Sequence, residues 1–304
     1  MKVILSKKGF DQGSAGFPNP ILEDGSMISL PIPVTDHKED HRIRYSEIQY
    51  GKNKKLIELL ERMGIKKIKG TSLRQLSAHL DPDLRQESYP HKPGWRGVFG
   101  INGNCQTHIE NNGNVSQGDI FLFFGWFEKY RHDGTCKLVN VENRKDYRTG
   151  RHAIFGYLQI DTILPLWNMK DSDTRIESWM EYHPHIGKDR KIVGNSYFGK
   201  NTLYVARKSL DFAPEKPGFG LFRHDDDTAG HITLTKRGCT RTQWALPPAF
   251  TTPKQVKISG NPDGWKTWKQ KRYFQSVRTY GQEFVIEESV EVEKWAQSLV
   301  RDYA

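Results

Sequence analysis

Two runs of β-branched and aromatic residues do most to limit how this chain can fold: Gly118-Asp119-Ile120-Phe121-Leu122-Phe123-Phe124-Gly125-Trp126 and Ala153-Ile154-Phe155-Gly156-Tyr157-Leu158-Gln159-Ile160. Such side chains fit a pleated surface and turn formers bound both runs, so they predict central strands buried on at least one face. Lys2 to Leu5, Asn201 to Ala206 and Glu283 to Ile286 read as further strands. Ile28 to Ile32 reads as an edge strand, because Pro31 cannot donate to a ladder. Helical patterning is thinner. Leu56, Ile57, Leu59, Leu60 and Met63 share one face, with Glu58 and Arg62 spaced as an i,i+4 pair and Gly64 as a stop. A shorter helix is expected from Ser72, with Leu73 and Leu76 inward. A last helix is expected from about Glu287 to Arg301, acidic in its first turns and docked by Val292, Trp295 and Leu299. Together these predict an α+β fold, a mixed sheet or partly open β-barrel with flanking helices.

No linker, repeat period or block of like charge divides the 304 residues, so one domain over 1–304 is expected, with its β core around 97–206. The apolar start Met1-Lys2-Val3-Ile4-Leu5 is too short for a signal peptide, and nowhere do eighteen apolar residues follow one another. A cytoplasmic, non-membrane protein is the expectation. Cys105, Cys136 and Cys239 are scattered and odd in number, which argues against a disulfide framework or structural zinc. The chain carries 46 Lys and Arg against 36 Asp and Glu, a net charge of +10. That excess favours a polyanionic partner, since cations laid on phosphates release counterions; an ordinary basic protein is the plainer alternative. DNA is the expected partner, with no obligate protein partner evident.

Four segments could carry chemistry. The glycine loop from Gly9 to Gly16 follows a strand and could cradle a phosphate, although it lacks the Gly-Lys-Ser/Thr of a P-loop. Its carboxylate, Asp11, is placed for catalysis or for an Asx turn. His79-Leu80-Asp81-Pro82-Asp83 could coordinate a metal or a sugar hydroxyl, or simply form a turn. His183-Pro184-His185 offers two histidines without a third ligand nearby in sequence. Finally, Gln282 and Glu283 follow a basic, aromatic stretch holding Trp265, Lys266, Trp268, Lys269, Lys271, Arg272 and Tyr273. Interleaved cations and rings suit phosphates and unstacked bases, or else form a solvated loop with some rings packed inward.

Lys8-Gly9-Phe10-Asp11, Pro18-Asn19-Pro20-Ile21-Leu22, Ser29 to Pro33, His79 to Leu84, Gly118 to Trp126, Asn201 to Ala206 and Gly281 to Val285, taken in order, resemble the third nucleotide-modification-associated domain family across nearly the whole chain. The Gly-Asp element and the strand holding Ile154-Phe155-Gly156-Tyr157 also look like the core of PUA, ASCH and EVE barrels. The first resemblance implies a role in base hypermodification systems of bacteria and phages, and at its finest a phage-defence DNA glycosylase that excises α-glucosyl-hydroxymethylcytosine and leaves an abasic site.

An enzyme of that kind must flip its target nucleotide and needs a carboxylate near the sugar, where positive charge develops, and a way to activate water. Asp11 and Glu283 are expected to take these tasks, in either order. Gln282, Asn19, Asp81 and Asp83 are expected to hydrogen-bond the base, its sugar or the water, and Trp126 to stack. Lys7, Lys8, Trp265, Lys266, Trp268, Lys269, Lys271 and Arg272 are expected to line the DNA. The scheme requires no metal or organic cofactor, the His79, Asp81 and Asp83 cluster being its metal-dependent alternative. A non-catalytic reader of modified DNA, or a transferase holding a donor nucleotide in the glycine loop, are the competing expectations.

Overall fold

The first aromatic run is the spine of the molecule. A computed structural model of the chain describes residues 1–34, 43–169, 173–186, 200–259, 261, 263–268, 270–276 and 283–304. In it, strand Ile120–His132 runs parallel to Val3–Lys7 and Asn19–Ile21 and antiparallel to Arg151–Leu164 and Leu138–Asn140. Among the described residues the sheet has nine strands. Its path runs Glu283–Val285, Val3–Lys7, Ile120–His132, Arg151–Leu164, Thr202–Ala206 and Val98–Ile101, with Asn19–Ile21, Leu138–Asn140 and Phe219–Leu221 attached alongside. The strands expected within 97–206 are all present, and the outer pair on one side comes from the two ends of the chain.

Both faces of the spine are covered, which is why it reads as a continuous apolar run and not as an alternation. Phe121 and Phe123 meet Phe99 edge-on, at 5.0 and 5.1 Å between ring centroids, while Phe124 meets Trp244 at 5.0 Å. Where the register steps from Gly156 opposite Phe123 to Ile154 opposite Phe124, Phe155 is the extra residue of a bulge, a feature that bends and twists a sheet. The two ends of the sheet approach one another: the Lys8 ammonium, just past Val3–Lys7, lies 4.6 Å from the centroid of Phe99 on the opposite outer strand. No ladder joins these edges among the described residues, so the sheet is curled but not closed into a barrel.

Helix Leu56–Arg62 forms as its spacing predicts, burying Leu56, Ile57, Leu59 and Leu60 and followed by Gly64 at φ +81°. Arg62 bonds the Cys136 carbonyl instead of pairing along its own helix. The final helix spans Val290–Tyr303; it begins later than expected because Ser289 is the N-cap, its hydroxyl accepting from the Val292 N–H. Two expectations are corrected. No helix starts at Ser72: Lys69 and Gly70 both have positive φ, so they make a two-residue hairpin turn and Thr71–Ser72 pairs with Lys67–Ile68. Leu73 and Leu76 are nonetheless buried. The edge strand is Ile32–Val34, paired with Ser77–His79, and not Ile28 to Ile32, because the Leu30 N–H is taken by the Asn19 side chain. No helix among the described residues is long and apolar enough to cross a membrane.

Candidate active site at the opening of the sheet

Alternate residues of a strand share a face, and Ser6 and Lys8 use that rule to reach one carboxylate. Ser6 lies opposite Glu283 in the antiparallel register; its hydroxyl donates to Glu283 Oε1 at 3.1 Å, and Lys8 Nζ donates to the same oxygen at 2.9 Å. The other oxygen, Oε2, is buried and has no hydrogen-bond partner of ordinary geometry among the described residues. Burial, the adjacent Glu283 charge and a hydrogen bond to that carboxylate push the Cys105 thiol beside it up to about 12. Burial opposes the charge on Lys8, but Glu283 and Asp81 outweigh it and raise its pKa.

Lys8, Glu283 and Cys105 line a cavity of about 200 Å3 whose wall also includes Lys7, Gly9, Asp11, Ser14, His79, Asp81, Gly100, Asn102 and His185. The glycine loop forms one side. It arches out between Lys7, paired with Phe124, and Asn19, paired with Phe127, and Asn19 holds it. That fully buried amide accepts from the Phe10 and Leu30 N–H groups and donates to the Phe10 and Trp126 carbonyls, at 2.8–3.1 Å. Gly9 is required here twice over. Its φ is +79°, and a Cβ would sit 2.6 Å from the Ser29 hydroxyl. Asp11 caps the loop: Oδ1 accepts from the Gly13 and Ser14 N–H groups at 2.8 and 2.7 Å, and Oδ2 pairs with Lys7 at 3.2 Å. Burial acts against its charge, but the Ser14 N–H and Lys7 more than offset this and hold its pKa below the usual carboxylate value.

On the opposite wall stand His79, Asp81 and His185. Asp81 Oδ1 accepts from the Gly100 N–H at 2.7 Å and lies 3.2 Å from His183 Nε2, while Oδ2 lies 3.9 Å from His79 Nε2. Burial lowers His185 to about 4, so its imidazole is neutral near pH 7. Gly100 makes room for it, since a Cβ there would be 2.4 Å from the His185 ring.

Of the residues singled out from sequence, the fold therefore brings Lys7, Lys8, Asp11, Asp81 and Glu283 to one cavity. Asn19 lies beneath the loop with all four hydrogen-bonding positions used. Asp83 belongs to another cluster, where it accepts from Ser88, His91 and Tyr182 at 2.6–2.7 Å. Trp126 does not line the cavity; the Arg241 guanidinium covers its ring at 4.3 Å. Trp265, Lys266, Trp268, Lys271 and Arg272 lie on a separate hairpin, Trp265–Trp268 with Lys271–Gln275, where Lys266, Lys271 and Arg272 are exposed and Trp265 meets Phe274 edge-on. Gln282 and Lys269 lie outside the described residues. Cys105, Gly100 and Arg241 had no sequence pattern to announce them. His185 did, but its partners are about a hundred positions away.

Residues 2–287 match a family model described as nucleotide modification associated domain 3. That description ties the chain to modified nucleotides. No curated protein and no solved structure matches it.

Proposed function

The chain belongs to the nucleotide modification associated domain 3 family, and from that premise we propose that it is a DNA glycosylase that flips a hypermodified cytosine, of the glucosylated hydroxymethyl kind, out of DNA and excises it. The observation that carries this reading is the buried Glu283 carboxylate at the cavity, with one oxygen held by Ser6 and Lys8 and the other without a conventional partner among the described residues. Cleavage of an N-glycosidic bond builds positive charge on the deoxyribose. A fixed anion stabilises that charge, because it needs no reorganisation as the bond breaks. Glu283 takes this role. Asp11, whose two oxygens already serve its loop and Lys7, takes the lesser one of shaping the wall and orienting water through that loop.

The cavity is smaller than the roughly 300–1,000 Å3 of sites for drug-sized ligands. A bare base fits its scale, and a glycosyl group projects through the open side between the glycine loop and the His79 wall. Polar groups committed to the sugar hydroxyls lose their partners when unmodified cytosine enters. Each loss costs about 1–3 kcal/mol, so two or three suppress the unmodified substrate by orders of magnitude.

The test uses purified protein and two matched duplexes differing only in cytosine or its glucosylated hydroxymethyl form, with no donor nucleotide. Free base and alkali-labile sites are expected from the modified duplex alone. Equal cleavage of both duplexes removes the specificity. Binding without release points to a reader, and inertness until a donor is added points to a transferase.

A further inference from the structure

We propose that His79, Asp81 and His185 form a binding site for one divalent first-row transition ion of the zinc, manganese or iron class, with its remaining coordination positions open to the cavity. Their ligand atoms all lie within 4.8 Å of one another. Bonds of about 2.0–2.2 Å place ligands of a tetrahedral ion roughly 3.4 Å apart, so small side-chain rotations suffice to close the trio. Two imidazoles and one carboxylate suit transition ions, not calcium or magnesium, which take oxygen sets.

What separates this trio from a chance cluster is the set of bonds behind it. Asn201 Nδ2 donates to the His185 carbonyl at 3.1 Å, which turns its Oδ1 toward His185 Nδ1 at 2.5 Å. Nδ1 must then carry the proton, and Nε2 presents its lone pair. Asp81 is set in the same manner. Its Oδ1 is occupied by the Gly100 N–H and faces His183 Nε2, which bears the proton because His183 Nδ1 accepts from the His185 N–H at 3.3 Å. The contact from His183 is poorly aligned for a hydrogen bond, but its polarity still turns the carboxylate. Oδ2, on the His79 side, is the oxygen left for a metal. Ligands whose far atoms are tied in this way are the usual companions of a bound ion. His79, at the end of strand Ser77–His79, supplies the third and most accessible position. Lys8 stands nearby, but Glu283 neutralises it.

This site departs from the metal-free scheme, and it does not depend on the glycosylase reading, since its test involves no DNA. Untagged full-length protein, freed of metal by chelator dialysis, is titrated with Co2+ by absorption and with Zn2+ and Mn2+ by calorimetry, circular dichroism monitoring the fold. One ion per chain is expected, with a cobalt d–d spectrum of nitrogen and oxygen ligation. His79→Ala, at the partly exposed position least able to disturb folding, should weaken binding at least about a hundredfold, and His185→Ala likewise. Asn201→Ala should weaken it about 10–100-fold with His79 and His185 still present. Failure of the folded wild type to bind any of the three ions overturns the proposal, as does binding of equal affinity in the folded His79→Ala protein.

Discussion

At the scale of single residues, the two carboxylates picked from the sequence differ in what they have left to offer. Asp11 spends Oδ1 on two backbone N–H groups and Oδ2 on Lys7, whereas Glu283 keeps one oxygen beside the cavity without a conventional partner among the described residues. Glu283→Gln keeps an acceptor for Ser6 and Lys8 but removes the anion. It is expected to lower the rate of base release at least about a hundredfold while leaving DNA affinity within about twofold. Asp11→Asn still accepts from Gly13 and Ser14 and should lose less than about tenfold. Single-turnover base release on both variants decides the assignment; a hundredfold loss confined to Asp11→Asn exchanges the roles. Both residues were legible, Asp11 from the glycine loop that follows a strand and Glu283 from its place at the start of a short one. His185 was visible only as half of a histidine pair, because its ligand partners His79 and Asp81 are brought beside it only by the fold.

Elements were legible where side-chain chemistry alone decides them. The aromatic runs became the central strands because nothing but a covered sheet buries so many rings in sequence, and Leu56–Arg62 became a helix because its apolar spacing matches one face. The misreadings at Ser72 and Ile28 arise because hydrophobic spacing over a few residues registers neither the turn that precedes them nor which backbone groups are already taken. Lys69 and Gly70 turn the chain at positive φ, and Asn19 claims the Leu30 N–H. The basic hairpin Trp265 to Gln275 separates two functions that the sequence merges, since Trp265 packs inward while Lys266, Lys271 and Arg272 face solvent. If those cations lie along DNA, the triple alanine variant loses up to three phosphate contacts. The plot of log affinity against log salt on duplex DNA should then become shallower by up to about 2.7, at roughly 0.9 per contact, with the base-release rate at saturating DNA unchanged. An unaltered slope removes the hairpin from the DNA path.

At the scale of the whole molecule, the curl of the sheet makes the cavity by carrying the two outer strands, formed by distant parts of the chain, to either side of one opening. No local pattern encodes that, because it arises from twist, from the bulge at Phe155 and from packing around Phe99. The same packing buries two histidines away from the metal trio. His152 accepts from the Trp244 indole N–H at 3.1 Å through Nδ1, and burial, with Lys7 and Arg241 nearby, holds its pKa well below 6.5. His224 Nε2 accepts from Arg151 at 3.0 Å; burial first, then Arg151 and Lys129, lower it to about 4 against a weaker opposing effect of Asp225. Both are neutral in the folded protein and titrate near 6.5 once unfolded, so the unfolded chain binds more protons as the medium is acidified. The stabilisation is therefore complete above pH 6.5 and is lost as pH falls from there toward 4, at about 1.4 kcal/mol per pH unit for each histidine. Urea unfolding of the metal-free protein at pH 7.5, 6.5, 5.5 and 4.5 should show a level stability above 6.5 and a steep decline below it. His185, lowered to about 4 in the metal-free protein, adds to the same slope, so replacing His224 by Gln, which can still accept from Arg151 but cannot titrate, should remove about a third of it. A stability that stays level from pH 6.5 to 4.5 would mean that these rings gain their protons in the folded protein without cost, against the burial and the neighbouring cations that surround them.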